Sequence, residues 1–332
     1  MRKKEKNKLL PLTSDLLFKA VYGRNTEASN AALTALLNRL LEKDNDPIVW
    51  VRCENPFSYK TYQGEKEIIM DIKVRLSSGQ LLDLEMQVDH LDCYVNRSIY
   101  YMGKLINESL ESGEDYDKMK ETIVISIVNR TLFPQYKKAF STYYLKENEE
   151  DHKLSEITRI HFLELGKINV TETLISEMTP HERLGVYFKY AADESKSEVI
   201  DQLLEYEAEV IDLTKPILEE ISAEQELREL EEARKRYRYD VNTARSVGHR
   251  EGKEEGIEIG KEIGKEIGRT EGERIKLVQL VCKKILKGKS VEIIAEELEE
   301  ENEIVEKICS VAEQYAPEYD MEKIYEALKG IE

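Results

Sequence analysis

The chain has 332 residues, with 49 Lys and Arg against 67 Asp and Glu, so its formal charge is −18 and 35% of its residues are charged. That length exceeds one compact domain of about 100–200 residues, no apolar run approaches the roughly 20 residues of a membrane-spanning helix, and the basic start Met1-Arg2-Lys3-Lys4 leads into no signal-peptide core. A cytoplasmic protein of more than one part, without a membrane, is expected.

Two residue classes narrow the reading further. Cys53, Cys93, Cys282 and Cys309 are widely scattered, with neither C-x-x-C nor paired histidine spacing, so neither a zinc site nor a disulfide framework is indicated. Charge is uneven: residues 290–332 hold 14 acidic and 3 basic side chains, a local −11 that leaves −7 for everything before them. Acidity disfavours nonspecific nucleic-acid binding. Basic stretches at residues 2–8 and 234–238 nevertheless leave the partner open.

In chain order, Thr13-Ser14-Asp15 precede Leu16, Leu17, Phe18, Ala20 and Val21, an N-cap ahead of amphipathic turns. A second helix is predicted at 26–41, a short strand at 48–52, and a hairpin from strands 68–76 and 81–88 about Ser77-Ser78-Gly79. Residues 96–110 read as a helix stopped by Ser112-Gly113-Glu114, and the β-branched run 122–128 as a buried central strand. Strands at 140–145 and 157–165 and helices over 181–208 follow.

Beyond about residue 215 the sequence turns charge-rich and helical. Glycine recurs at 248, 252, 256, 260, 264, 268 and 272, with Ile257, Ile259, Ile263 and Ile267 between. Seven glycines cost a helix roughly 6 kcal/mol relative to alanine, so a close partner helix is expected to offset them; a charged, poorly ordered linker is the alternative. Residues 288–298 and 304–308 have a helix-break-helix outline, too acidic for reading DNA and better suited to packing. The expected division is 1–212 as a mixed α/β domain, 213–287 as a long charged helix with the glycine repeat, and 288–332 as an acidic helical hairpin.

The hairpin holds the candidate chemistry. A three-residue loop ending in glycine pairs Leu76 with Gln80, so facing numbers sum to 156 and Asp71 faces Glu85. Ile72, Val74, Leu76, Leu82, Leu84, Met86 and Val88 then share the core face, and Asp71, Lys73, Arg75, Asp83, Glu85 and Gln87 the other. Two carboxylates opposed across a ladder repel, and a divalent cation reverses that sign. The alternative is a solvent-facing strand pair in which Lys73 and Arg75 neutralise the acids. The five histidines, His90, His152, His161, His181 and His249, are too far apart for an obvious ligand pair, and the glycine row lacks the pattern of a phosphate loop.

Asp71, the short hairpin and Glu85-Met86-Gln87 resemble the Asp…Glu-x-Lys core of the PD-(D/E)XK nuclease fold, with Gln in place of Lys. The chain more specifically resembles the Rpn family of recombination-promoting nucleases and putative transposases. The likeness extends to Ser14-Asp15-Leu16-Leu17-Phe18-Lys19, Arg97-Ser98-Ile99-Tyr100-Tyr101, Gly113-Glu114-Asp115-Tyr116, Phe162-Leu163-Glu164-Leu165-Gly166-Lys167 and the glycine row, over roughly residues 9–290.

The resemblance implies an α/β restriction-endonuclease-like core, a central mixed sheet flanked by helices, followed by the long helical region. It implies a metal-dependent DNA endonuclease tied to recombination and mobile DNA. Asp71 and Glu85 would hold a divalent metal, magnesium first and manganese or calcium as alternatives, with Asp15, or in second place Glu27, as an added acidic ligand; a plain helix cap is the alternative for Asp15. Gln87 would orient water or ligate through its oxygen, and Lys73 is the nearest candidate for the missing cation. Arg97, Tyr101 and Lys19 would meet the substrate; for Arg97 and Tyr101, packing against the sheet edge is the alternative. DNA and a second copy of the chain, joined through the glycine-repeat helix, are the expected partners. A non-catalytic oligomeric interaction protein on a relic nuclease fold is the competing reading.

Overall fold

The computed structural model describes residues 8–57, 71–88 and 93–330. The start of the expected hairpin strand at 68–70, His90 and most of the basic start lie outside the described residues. By internal contacts the chain divides into two compact units, Met1–Tyr239 and Asp240–Glu332.

The first unit is built on a mixed sheet, six-stranded among the described residues. In chain order the strands are β1 (Val51–Cys53), β2 (Ile72–Leu76), β3 (Leu81–Gln87), β4 (Thr122–Val128), β5 (Phe140–Tyr143) and β6 (Thr158–Glu164). Across the sheet they run β1-β2-β3-β4-β6-β5. The β3–β4 and β4–β6 pairs are parallel and the others antiparallel. The parallel step from β3 to β4 is made through helix α3 (Tyr94–Glu108), the crossover such a step requires.

Helices α1 (Asp15–Tyr22), α2 (Glu27–Leu40), α4 (Pro180–Tyr190) and α5 (Ser197–Ala223) supply the large core. Leu17, Phe18, Val21, Leu36 and Leu184 meet Ile72, Val74, Leu82, Leu84, Ile123, Ile125 and Leu163 there. On the other face α3 presents Tyr101, Met102 and Leu105 to Leu81 and Val124. Strand β4 is thus buried on both sides, as its β-branched sequence predicts.

The hairpin register is the one derived from the loop. Ile72 pairs with Leu84, Lys73 with Asp83 and Val74 with Leu82. The Gln80 carbonyl accepts from Leu76 N–H, and Gly79 has φ +87°, which a side chain would strain.

Some boundaries differ from expectation, for local reasons. The helices predicted over 181–208 are α4 and α5, the latter running on to Ala223: Thr179 and Glu182 form a reciprocal cap at the start of α4, and Asp193 accepts from Ser195 in the turn before α5. The boundary drawn at 212 falls inside α5, because Ile217, Leu218, Ile221 and Leu227 continue the same core.

Helix α6 (Gln225–Ile285) gives its first turns to the first unit and the rest to the second. The tail is not one hairpin but α7 (Val291–Leu298), α8 (Asn302–Glu313) and α9 (Met321–Lys329). Together with Val278, Val281 and Cys282 of α6 they enclose a small core through Ile294, Val305, Ile308 and Ile324. Asp320 caps α9 by accepting from Glu322 and Lys323 N–H. Among the described residues no helix is long and apolar enough to cross a membrane.

Candidate metal centre

Strand alternation puts Asp83, Glu85 and Gln87 on one side of β3, and α3 covers that side. Asp83 and Glu85 are therefore buried, 0% and 1% exposed, rather than solvent-facing. Asp71 stands just before β2, where the register sets it against Glu85. Its Oδ2 accepts from Met86 N–H at 3.1 Å, which fixes the carboxylate to the strand that bears Glu85.

Glu85 is held from α3. Tyr94 donates its hydroxyl to Oε2 at 3.2 Å, and Arg97 Nη2 lies 3.6 Å from Oε1. Arg97 is itself positioned by Tyr101, whose hydroxyl accepts from Nε at 2.9 Å. The Tyr101 ring packs with Leu81 and Val124 in the α3 core while its hydroxyl faces Arg97. Glu85 Oε1 and both oxygens of Asp83 have no hydrogen-bond partner.

Helix α1 closes the other side with Asp15 and Lys19, one turn apart. Lys19 is 4% exposed, and Asp71, Asp83 and Asp15 are among its charged neighbours. Burial lowers its ammonium pKa against their pull. Asp15 is ion-paired to Arg234 of α6, while Ser14 donates to Glu231 at 2.5 Å instead of capping α1.

Electrostatics mark the cluster as strained in its charged form. Burial first, then Asp15, pushes Asp71 up to about 6 against the pull of Lys19. Burial and then Asp71 raise Asp83 well above the carboxylate range; burial, Asp83 and Asp71 do the same to Glu85.

Lys73, the cation nearest in sequence, is turned away. Its ammonium pairs with Glu54 at 2.9 Å and with Glu108, and Arg75 also goes to Glu54, at 2.6 Å. The two side chains proposed to neutralise Asp71 and Glu85 therefore serve other acids, and the cations that act on the pair are Lys19 and Arg97 for Asp71 and Arg97 for Glu85. Gln87 ends β3 half-buried, its carbonyl accepting from Asn129 N–H.

Sequence reasoning missed Tyr94 by starting the helix at residue 96; the spacing 94, 97, 98, 101 was the signal, since those positions share a helix face. It placed Asp83 on the site face but gave it no role. His161 and His181 are structural: His161 meets Thr142 at 2.9 Å, and His181 stacks on Phe140 and bonds the Leu40 carbonyl at 2.9 Å.

Among the described residues no three His, Cys, Asp or Glu side chains are placed to hold a metal ion together. The donor set still suits a hard divalent cation. It is all oxygen and mutually repelling, half-buried at Asp15 and Asp71 and fully buried at Asp83 and Glu85, where unpartnered atoms remain.

No curated protein and no solved structure matches the chain. A family model described as PD-(D/E)XK nuclease family transposase matches residues 12–247, which span the sheet, α1 with Asp15 and Lys19, the hairpin with Asp71 and Glu85, and the first turns of α6. The chain therefore belongs to the PD-(D/E)XK nuclease family transposases.

Proposed function

We propose that this nuclease-family chain is a divalent-metal-dependent DNA endonuclease that hydrolyses phosphodiester bonds, in the service of recombination or mobile DNA. The observation that carries the reading is the pair Asp71 and Glu85: the Met86 N–H holds the half-buried Asp71 against the strand that bears Glu85, which is buried with one oxygen unpartnered. In this reading Asp71 and Glu85 hold the cation, magnesium or manganese, and Asp15 adds a carboxylate from α1. A cation bound there polarises a phosphodiester and activates water.

The chain's own residues do the rest. Lys19 of α1 brings positive charge to Asp71 and Asp83, since Gln87 stands where this fold usually has a lysine after the glutamate. Arg97, braced by Tyr101, keeps Glu85 oriented and offsets its charge, and Tyr94 holds the other oxygen. In this reading the amide of Gln87, at the end of β3, orients a water or a phosphate oxygen. DNA is the favoured substrate despite the acidic chain, because residues 12–247 match a nuclease family.

Self-association through the glycine row belongs to the same reading. A centre that cuts one strand needs a second copy to cut the other, and the row is built for close approach. The test of substrate and metal is direct: supercoiled plasmid and a structured RNA are incubated with the purified chain in magnesium, manganese, calcium or EDTA. Nicking of DNA that requires magnesium or manganese is expected; identical products in EDTA would overturn the reading.

A further inference from the structure

In open α/β sheets ligands bind beyond the carboxyl ends of parallel strands, and β3, β4 and β6 share that end. The segment 129–138 leaves β4 there, and its first residue is joined to the site strand by Asn129 N–H, which donates to the Gln87 carbonyl at 3.0 Å. It lies on the face that carries the acids. Phe133 meets Phe162 edge-on with ring centroids 5.4 Å apart, Phe162 meets Tyr94 at 6.4 Å, and Tyr94 donates to Glu85. The segment is also fixed. Buried Glu164 accepts from Leu132 N–H at 2.6 Å and Phe133 N–H at 2.9 Å, and the Lys167 ammonium joins Glu164, at 2.6 Å, to the Lys138 carbonyl, at 3.0 Å.

The charge on this loop has one sign. Residues 129–146 hold Arg130, Lys137, Lys138 and Lys146 and no acid, in a chain of net charge −18. Lys146 pairs with Asp151. Lys137 and Lys138 are exposed, and among the described residues no acid pairs with either ammonium. Gln135 and Tyr136 beside them are exposed as well, Tyr136 to 60%. By contrast, Lys73 and Arg75 serve Glu54, Arg97 serves Glu85 and Arg234 serves Asp15. Lysine, glutamine and tyrosine side chains are ordinary donors to phosphate oxygens, and a backbone already fixed spares the ordering cost of docking. We infer that the loop 129–138 is the phosphate-docking surface of the centre, where Lys137, Lys138 and Tyr136 hold the backbone of duplex DNA at the carboxyl end of β4. The inference rests on the proposed nuclease reading and deepens it, by giving an acidic chain a surface of the sign its substrate needs.

The test is binding of a labelled DNA duplex to the full chain, followed by fluorescence anisotropy over a series of salt concentrations, in EDTA and in calcium. The double variant Lys137→Gln, Lys138→Gln is compared with Lys118→Gln, Lys120→Gln, which removes the same charge at the other end of β4. All four side chains are exposed, so each variant should fold. The loop variant should bind more weakly, with the slope of log affinity against log salt smaller by about 2, since each phosphate contact contributes about 0.9. The control pair should match the native chain, and Lys137→Arg, Lys138→Arg should keep the native slope. Plasmid nicking by the loop variant should lose more in KM than in kcat. If the loop variant keeps the native affinity and slope while native nicking requires metal, the loop is not the DNA surface and the nuclease reading stands. A loss confined to structured RNA, with duplex DNA bound as by the native chain, also overturns the inference. A native chain that binds duplex DNA in neither condition overturns both.

Discussion

The Asp71 carboxyl titrates at about 6 because burial and then Asp15 disfavour its charge more than Lys19 favours it. In the unfolded chain an aspartate titrates near 3.9. The folded state therefore binds the proton more tightly, and the stability this contributes is complete below about pH 4 and lost as pH rises through about 6, roughly 3 kcal/mol for this group. In EDTA, urea denaturation should thus show stability falling between pH 4 and 7, and Asp71→Asn should flatten much of that fall. A native profile that is flat or rising over this range would contradict the electrostatic account. Turn chemistry and alternation made the opposition of Asp71 and Glu85 legible in the sequence. They could not reveal that α3 covers the polar face, nor that Glu54 and Glu108 divert Lys73, because both facts depend on elements distant in sequence.

At the scale of elements, α2, α4 and α5 are joined by one buried acid. Glu207 accepts from Arg39 Nε at 2.7 Å and Nη2 at 2.9 Å, and from Arg183 Nε at 2.8 Å. Its backbone leaves helical geometry, with φ −126° and ψ 28°, so α5 kinks at the residue that makes the pairing. Removing one partner of a buried pair costs about 3–5 kcal/mol, and Glu207→Ala should lower stability by that amount in urea melts without abolishing metal binding. Gly166 makes a second, backbone-based prediction. A Cβ there would lie 2.5 Å from Arg130 C and Thr131 N, next to the segment whose Leu132 and Phe133 N–H groups are held by buried Glu164. Gly166→Ala should therefore destabilise well beyond the propensity difference, which favours alanine only in helices. The strand β4 and the hairpin were readable from local pattern, whereas the Glu207 pairing and the Gly166 contact were not, since each joins residues far apart in the chain.

At the scale of the whole molecule, the glycine row was legible as a helix, and its purpose is the part that packing within one chain does not supply. A Cβ at any of the seven glycines from Gly248 to Gly272 meets no atom of the chain within 4 Å outside the helix's own nearby backbone, and Ile257, Ile259, Ile263 and Ile267 are about half exposed. For a lone helix, Gly256→Ala and Gly264→Ala should each add about 0.8–1 kcal/mol of helix stability. If the row packs against a second copy, the same changes should shift light-scattering mass toward the monomer. A chain that is monomeric at micromolar concentration before any substitution would remove self-association from the account.

The central claim is that Asp71 and Glu85 perform metal-dependent DNA cleavage, and the most direct measurement is plasmid nicking by the native chain, Asp71→Ala and Glu85→Ala in magnesium or manganese. All three proteins should be folded by circular dichroism, since a buried pair of like charges contributes no net stability. The account predicts nicking by the native chain and none by either variant. Metal-dependent nicking that persists in both variants would contradict it and place the chemistry elsewhere.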